Sequence, residues 1–407
     1  MRLHPFHAIR PAPELAPRVA AVPYDVVNRE EAAALAAGNP HSFLHVGRSD
    51  IDLPPDTDPH DERVYAGARR ALDGFLADGT LVRDPVPGLF LYQQVMDGRA
   101  QTGVVGCVHI DDYERDVIRK HEKTRPDKED DRTRHVLTLN ANAEPVFLTY
   151  RGRPEIDALT ERLQRTAPLY DFTAADGVRH TVWRIAETEP VVRAFAEVPL
   201  AYVADGHHRS ASAWRAGKEL RARHPDRRDA EYEWFLAVLF PADQLRILPY
   251  NRVVKDLNGL SMSQALARLA RVGTVTTTSD PVPPAAGTFC FYLLGEWYRL
   301  TLDPAGIDRS DPIGSLDVSL LQERVLAPIF GIGDPRTDRR IDFVGGIRGT
   351  AELERRVQSG EMAIAFSLHP TSLDQLIAVS DAGQVMPPKS TWFEPKLRSG
   401  LFVHALE

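Results

Sequence analysis

Asp205, Gly206, His207, His208 and Arg209 follow one another in the segment Ala201-Tyr202-Val203-Ala204-Asp205-Gly206-His207-His208-Arg209-Ser210-Ala211-Ser212-Ala213. A carboxylate, a glycine, two imidazoles and a guanidinium thus lie between a short apolar run and a stretch rich in Ala and Ser. The apolar run reads as a buried strand end, and Asp205-Gly206 as a turn that lets the backbone approach a ligand closely. A helix beginning just after it aims its free N–H groups back at the turn. Strand, Gly turn, cationic side chains and helix N-terminus together make an anion site, most naturally for phosphate. Other readings stand beside this one. One histidine can be a core residue while Arg209 pairs with a carboxylate. Neutral imidazoles and Asp205 are also good metal ligands, although the adjacent Arg209 repels a cation and so favours phosphate.

Two further segments carry chemistry-bearing side chains. Arg119-Lys120-His121-Glu122-Lys123-Thr124-Arg125-Pro126-Asp127-Lys128-Glu129-Asp130-Asp131-Arg132 is the densest charge run of the chain. Such runs are usually solvated loops whose charges cancel. Here His121-Glu122 offers a base, Thr124, Arg125 and Lys128 offer phosphate contacts, and Pro126 is expected to stop a helix and fix the turn. These residue types suit a mobile segment that closes over a nucleotide. Near the C-terminus, Met386-Pro387-Pro388-Lys389-Ser390-Thr391-Trp392-Phe393-Glu394-Pro395-Lys396 sets donors, Lys389 and Lys396 among them, beside two aromatics on a proline-stiffened backbone. It can frame phosphates or the face of a base, or it can be a rigid loop docked by Trp392 and Phe393. The alternating charges of Asp334-Pro335-Arg336-Thr337-Asp338-Arg339-Arg340 before Gly345-Gly346 are expected to satisfy one another as salt bridges. Walker A, GxSxG and Rossmann GxGxxG patterns do not occur.

The elements that position these residues alternate along the chain. Strands are expected over 89–94 and 101–110, joined at Asp97-Gly98, and over 145–150, 182–185, 200–204, 234–240 and 289–294. Helices are expected near 29–37, capped by Asn28 and ended at Gly38, and up to about residue 76. Others fall near 154–166, 208–223, 261–271, 317–327 and 350–359. This pattern indicates an α/β protein with a mixed sheet. Three regions are expected: 1–145, with the charged segment; 146–256, with the Asp205 turn; and 257–407, with the Lys389 segment. The 407 residues, 43% hydrophobic and 26% charged, are ample for a sizeable core. The net charge of −8 argues against nucleic acid and anionic membranes as partners. Cys107 and Cys290 are the sole cysteines, too few for a disulfide framework or a cysteine zinc site. No apolar run approaches the ~18 residues of a membrane span, and Met1-Arg2-Leu3-His4-Pro5 lacks a signal peptide's apolar core, so a cytosolic protein is expected.

Six blocks together resemble the DUF1015 family, which is spread through bacteria and archaea, over nearly the whole chain. They are Pro23-Tyr24-Asp25-Val26, Asn39-Pro40-His41-Ser42-Phe43-Leu44-His45-Val46, His121-Glu122-Lys123-Thr124, Asp205 to Arg209, Asp334 to Gly346, and Met386 to Leu401. Asp205-Gly206-His207-His208-Arg209 also resembles the phosphate-binding motif of archaeal free-serine kinases, within the ParB/sulfiredoxin-like superfamily. That resemblance implies a ParB/sulfiredoxin-like nucleotide-binding core, with phosphates on Gly206, His207, His208 and Arg209. Asp205 would position the acceptor hydroxyl or Mg²⁺, and Glu122 would be the base. The family often has Thr-His-Arg where this chain has Tyr250-Asn251-Arg252, so no histidine role carries over there. The expectation is a kinase that uses ATP or ADP with Mg²⁺ to phosphorylate the hydroxyl of a small molecule, free serine first. The alternatives are a metal-dependent phosphohydrolase with Asp205, His207, His208 and His121 as ligands, and a ParB-like nucleotide-binding switch.

Overall fold

The computed structural model describes every residue of the chain except Arg228. The chain divides into two compact units, Met1–Leu245 together with Pro395–Glu407, and Arg246–Glu394.

The first unit is built on a nine-stranded sheet. Its strands in chain order are β1 (Leu3–His4), β2 (Leu89–Met96), β3 (Arg99–His109), β4 (Ile118–Arg119), β5 (Val146–Tyr150), β6 (Tyr170–Thr173), β7 (Arg179–Ile185), β8 (Ala201–Asp205) and β9 (Trp234–Pro241). They lie in the order β4-β8-β5-β9-β3-β2-β7-β6, with β1 paired to β3. β8 is parallel to β4 and β9 is parallel to β5. The other neighbours are antiparallel, so the expected mixed-sheet α/β architecture is the one observed. The β2–β3 hairpin turns at Asp97 and Gly98, with φ of 51° and 76°. Two successive left-handed residues match the twist of the flanking strands. β5, β8 and β9 are buried along nearly their whole length, in keeping with their continuous apolar sequences.

Helices α1 (Arg29–Ala36), α2 (Glu62–Ala77), α3 (Pro126–Leu139), α4 (Pro154–Leu163), α5 (Glu189–Ala196) and α6 (His207–Arg223) belong to the same unit. Asn28 closes a capping box with Glu31 at the start of α1. The charge run differs from expectation, because Pro126 begins helix α3 rather than stopping one. At the first helical position proline loses no hydrogen bond, and its fixed φ suits the helix.

The second unit carries a six-stranded sheet. Its strands are β10 (Tyr250–Val254), β11 (Thr274–Thr277), β12 (Thr288–Leu293), β13 (Glu296–Thr301), β14 (Ile341–Gly345) and β15 (Ile364–Leu368). They run antiparallel in the order β11-β13-β12-β15-β10-β14. The helix expected over 317–327 is a helix only at Asp317–Leu321, then a π turn over Gln322–Leu326 and a further helical turn at Ala327–Phe330. Pro328 lacks the N–H that would bond four residues back, and the ladder widens there. Arg336 pairs with Asp334 at 2.9 Å and Arg340 with Asp338 at 3.0 Å, the salt-bridging expected of that segment. Among the described residues no helix is long and apolar enough to cross a membrane.

Candidate functional site

Strand β8 leads straight into the turn. Its register against β5 shifts between Val203 and Asp205. Such a bulge re-aims the residue that follows it. Gly206 then sits at φ 93° as the N-cap of α6. The φ favours glycine, and a Cβ there would lie a tight 3.1 Å from Cζ and Nε of Arg209, which would have to give way. The first bond of α6 runs from Ser210 N to Gly206 O, which leaves the amides of His207, His208 and Arg209 directed at the end of β8. Small residues along α6 let it pack closely, and a Cβ on Gly217 would meet Tyr232 O at 2.4 Å.

Arg209 is buried at the centre of the site. Its Nη1 donates to Pro145 O at 2.6 Å and its Nη2 to Asp205 Oδ2 at 3.0 Å, while Asp25 Oδ2 stands 3.6 Å away. Burial works to lower the Arg209 pKa, but the carboxylates of Asp25, Asp205 and Glu144 outweigh it and push it up. The C-terminal segment returns to the first unit and brings Lys396 Nζ to 3.6 Å from Asp205 Oδ1. Burial works to raise Asp205, and Lys396 with Arg209 overcomes it and holds the carboxyl well below its ordinary range. Asp205 is therefore a fixed anion that orients two cations.

The two histidines of the motif are neutral acceptors. Burial, then the neighbouring His121, pushes the His207 pKa well down, and burial lowers that of His208. His207 Nε2 accepts from the backbone N of His121 at 3.4 Å, and His208 Nε2 from the backbone N of Arg125 at 3.2 Å. The His121 and His207 rings meet edge to face at 4.4 Å, and burial holds His121 at a pKa of about 4. Glu122 is exposed beside them, its Oε2 4.0 Å from His207 Nδ1.

Of the charged segment, Thr124 donates its hydroxyl to Glu129, the Arg125 guanidinium holds Asp127 at 2.8 Å, and Lys128 is exposed on α3. Lys396 belongs to the first unit and Lys389 to the second. No group of three or more His, Cys, Asp or Glu side chains among the described residues is arranged to hold a metal ion. With both Nε2 atoms engaged by amides and Asp205 held by two cations, Asp205, His207, His208 and His121 do not form the metal centre weighed from the sequence.

Four residues that the sequence reading left without a role complete the surroundings. Asp25 faces Arg209, the Arg132 guanidinium lies 4.3 Å over the Tyr24 ring, and Glu144 Oε1 accepts from Ser399 Oγ at 3.0 Å. Burial pushes the Glu144 carboxyl up against the pull of Arg209. Arg132, Glu144, Arg209 and Ser212 line a cavity of about 30 Å³, room for a water molecule. The signal for this group was Pro23-Tyr24-Asp25-Val26, a block with no regular element of its own to explain it.

Comparison with solved structures finds likenesses of 12–14% identity. A free serine kinase variant in complex with AMP matches at 13% identity and a TM-score of 0.36, over 74% of this chain and 91% of that one. A free serine kinase variant with ADP matches at 14% and 0.35, over 74% and 92%. SbnI with a C-terminal truncation, from Staphylococcus aureus, matches at 14% and 0.39, over 74% and 87%. No curated protein matches the sequence. A family model matches residues 3–319, well over half the chain, and the protein belongs to that family, described as protein of unknown function (DUF1015).

Proposed function

We propose that the protein is a phosphotransferase that moves a phosphoryl group from ATP or ADP to the hydroxyl of a small molecule, with free serine or a serine-like amino acid the first acceptor to test. The observation that carries this reading is the turn itself. A left-handed glycine opens a 17-residue helix, and beside its start the Arg209 guanidinium and the Lys396 ammonium flank one fixed carboxylate. Phosphoryl transfer asks a protein chiefly for positioning and for neutralising charge, and this turn offers both. Phosphate oxygens take the α6 amides and the two cations, with Asp205 as the positioning residue that keeps Arg209 and Lys396 in place. Gly206 gives the phosphate its approach to the backbone. His207 and His208, neutral and tied to the His121 and Arg125 amides, shape the wall; Thr124, Arg125 and Lys128 are second-line contacts.

In the transfer, the acceptor oxygen bonds to phosphorus as the bond to the leaving phosphate oxygen breaks. The hydroxyl proton passes to a carboxylate. Glu122 is the proposed base, and Asp25, half-exposed beside Arg209, is the other carboxylate facing the turn. Mg²⁺, when bound, neutralises phosphate charge, and Asp25 is the side chain fit to join the phosphates in holding it.

The test is phosphorus NMR of the full chain with Mg²⁺, ATP or ADP, and hydroxyl compounds led by L-serine. A new phosphomonoester signal is expected; inorganic phosphate alone points to hydrolysis, and binding without turnover to a switch. Glu122→Gln should lower turnover by about 10²–10⁴-fold. Full turnover in Glu122→Gln sinks its assignment as the base.

A further inference from the structure

Arg252, on β10 of the second unit, is a buried cation without a counter-ion. It lies in register with Phe343 of β14 and Phe366 of β15, and is 4% exposed. Its Nη1 donates to Tyr250 O and its Nη2 to Pro388 O at 3.3 Å, and the guanidinium lies 5.0 Å over the Phe343 ring. Among the described residues no carboxylate pairs with it, whereas Arg340 and Arg356 of the same unit pair with Asp338 and Asp342. Burial pulls its pKa down to about 9, which leaves it charged at neutral pH. A second cation, Lys389, follows Pro388 in the chain, and its Nζ lies 5.4 Å over the Tyr250 ring.

The frame around this pair is fixed. Lys389 adopts a left-handed φ of 57°, unusual for a long side chain. Ser390 Oγ donates to Pro387 O at 2.6 Å, and Thr371 Oγ1 to Ser390 O at 2.9 Å. Trp392 meets Tyr250 edge to face at 5.1 Å and packs so closely on Gly345 that a Cβ there would come within 2.8 Å of its ring. A buried charge with no counter-ion is costly, and an aromatic wall that holds it on the carbonyl next to a lysine invites an anion.

We propose that Arg252 and Lys389 form an oxyanion site that binds the carboxylate or phosphoryl group of a small ligand. The ligand oxygen replaces Pro388 O, the longer of the two Nη bonds, and brings the charge that Arg252 lacks. This site stands whether or not the Asp205 turn transfers phosphate.

The experiment follows the side-chain Nε signal of Arg252 in the full-length protein labelled with ¹⁵N-arginine, assigned by its loss in Arg252→Lys. Inorganic phosphate and acetate are titrated separately to millimolar concentration at neutral pH. A saturating shift is expected, with affinity about fivefold weaker in Lys389→Ala. A response to phosphate alone assigns a phosphoryl group, to acetate alone a carboxylate, and to both their shared chemistry. A signal that stays in place through both titrations overturns the site. An affinity unchanged in Lys389→Ala overturns the two-cation assignment.

Discussion

Replacing Gly206 with alanine tests the geometry on which the Asp205 turn depends. At φ 93° a Cβ crowds the backbone, a cost of about 1–2 kcal/mol. The new methyl also falls 3.1 Å from Arg209 Cζ and Nε, tighter than nine in ten real Cβ contacts. The guanidinium must yield, and it is held at 2.6 Å by Pro145 O and 3.0 Å by Asp205. Losing one such charged hydrogen bond adds about 1.5–3 kcal/mol, so Gly206→Ala should cost about 2.5–5 kcal/mol in all. Gly38→Ala is the control: φ there is also positive, 70°, but a Cβ would meet nothing within 4 Å, and only the backbone cost applies. Urea unfolding of both variants, followed by circular dichroism, gives the two losses, and calorimetry gives nucleotide affinity. We expect Gly206→Ala to lose about 2 kcal/mol more than the control and to bind nucleotide about tenfold more weakly. Equal losses in the two variants, with nucleotide binding intact, would refute the claim that Gly206 makes room for Arg209 at a phosphate site.

Acid should destabilise the protein through its buried neutral histidines. The unfolded chain takes up protons near pH 6.5, whereas burial holds His121 to about 4, and burial with Arg398 holds His180 to about 3. Burial, and Arg132 beside it, likewise lower His135 to about 3. Their stability is whole above pH 6.5 and drains as pH falls towards 4, by up to about 1.4 kcal/mol per pH unit for each. Urea midpoints at pH 7, 6 and 5 should fall in step, with a shallower slope in His135→Gln; a flat series contradicts this. Asp84 is buried between Arg10, at 2.8 Å, and Arg184. Asp84→Ala strands both arginines and should cost about 3 kcal/mol in urea unfolding. Asn28→Ala removes the capping box of α1 and should cost about 1 kcal/mol, read as faster hydrogen exchange of the α1 amides.

Local chemistry was legible in the sequence wherever neighbours along the chain decide the outcome. Asp97-Gly98 specified its hairpin, Asn28 and Gly38 bounded α1, and the run from Ala201 to Arg209 specified strand, left-handed turn and helix start. In each case the interacting groups lie within a few residues, so steric rules and capping bonds suffice. α3 escaped because its dense charge hid the helical period and Pro126 read as a break, although proline at a first turn is compatible with a helix. What surrounds Arg209 was decided only by tertiary packing. Asp25, Pro145, Asp205 and Lys396 come from four distant stretches and meet because the sheet order and the return of the C-terminal segment bring them together. Lys389 and Lys396, seven positions apart, fall in different units. The sequence by itself determined that a strand end, a left-handed glycine and a helix start would meet at Asp205 to Arg209. Tertiary structure alone decided which charges face it, because burial and distance set their state, and neither is a property of a residue's neighbours in sequence.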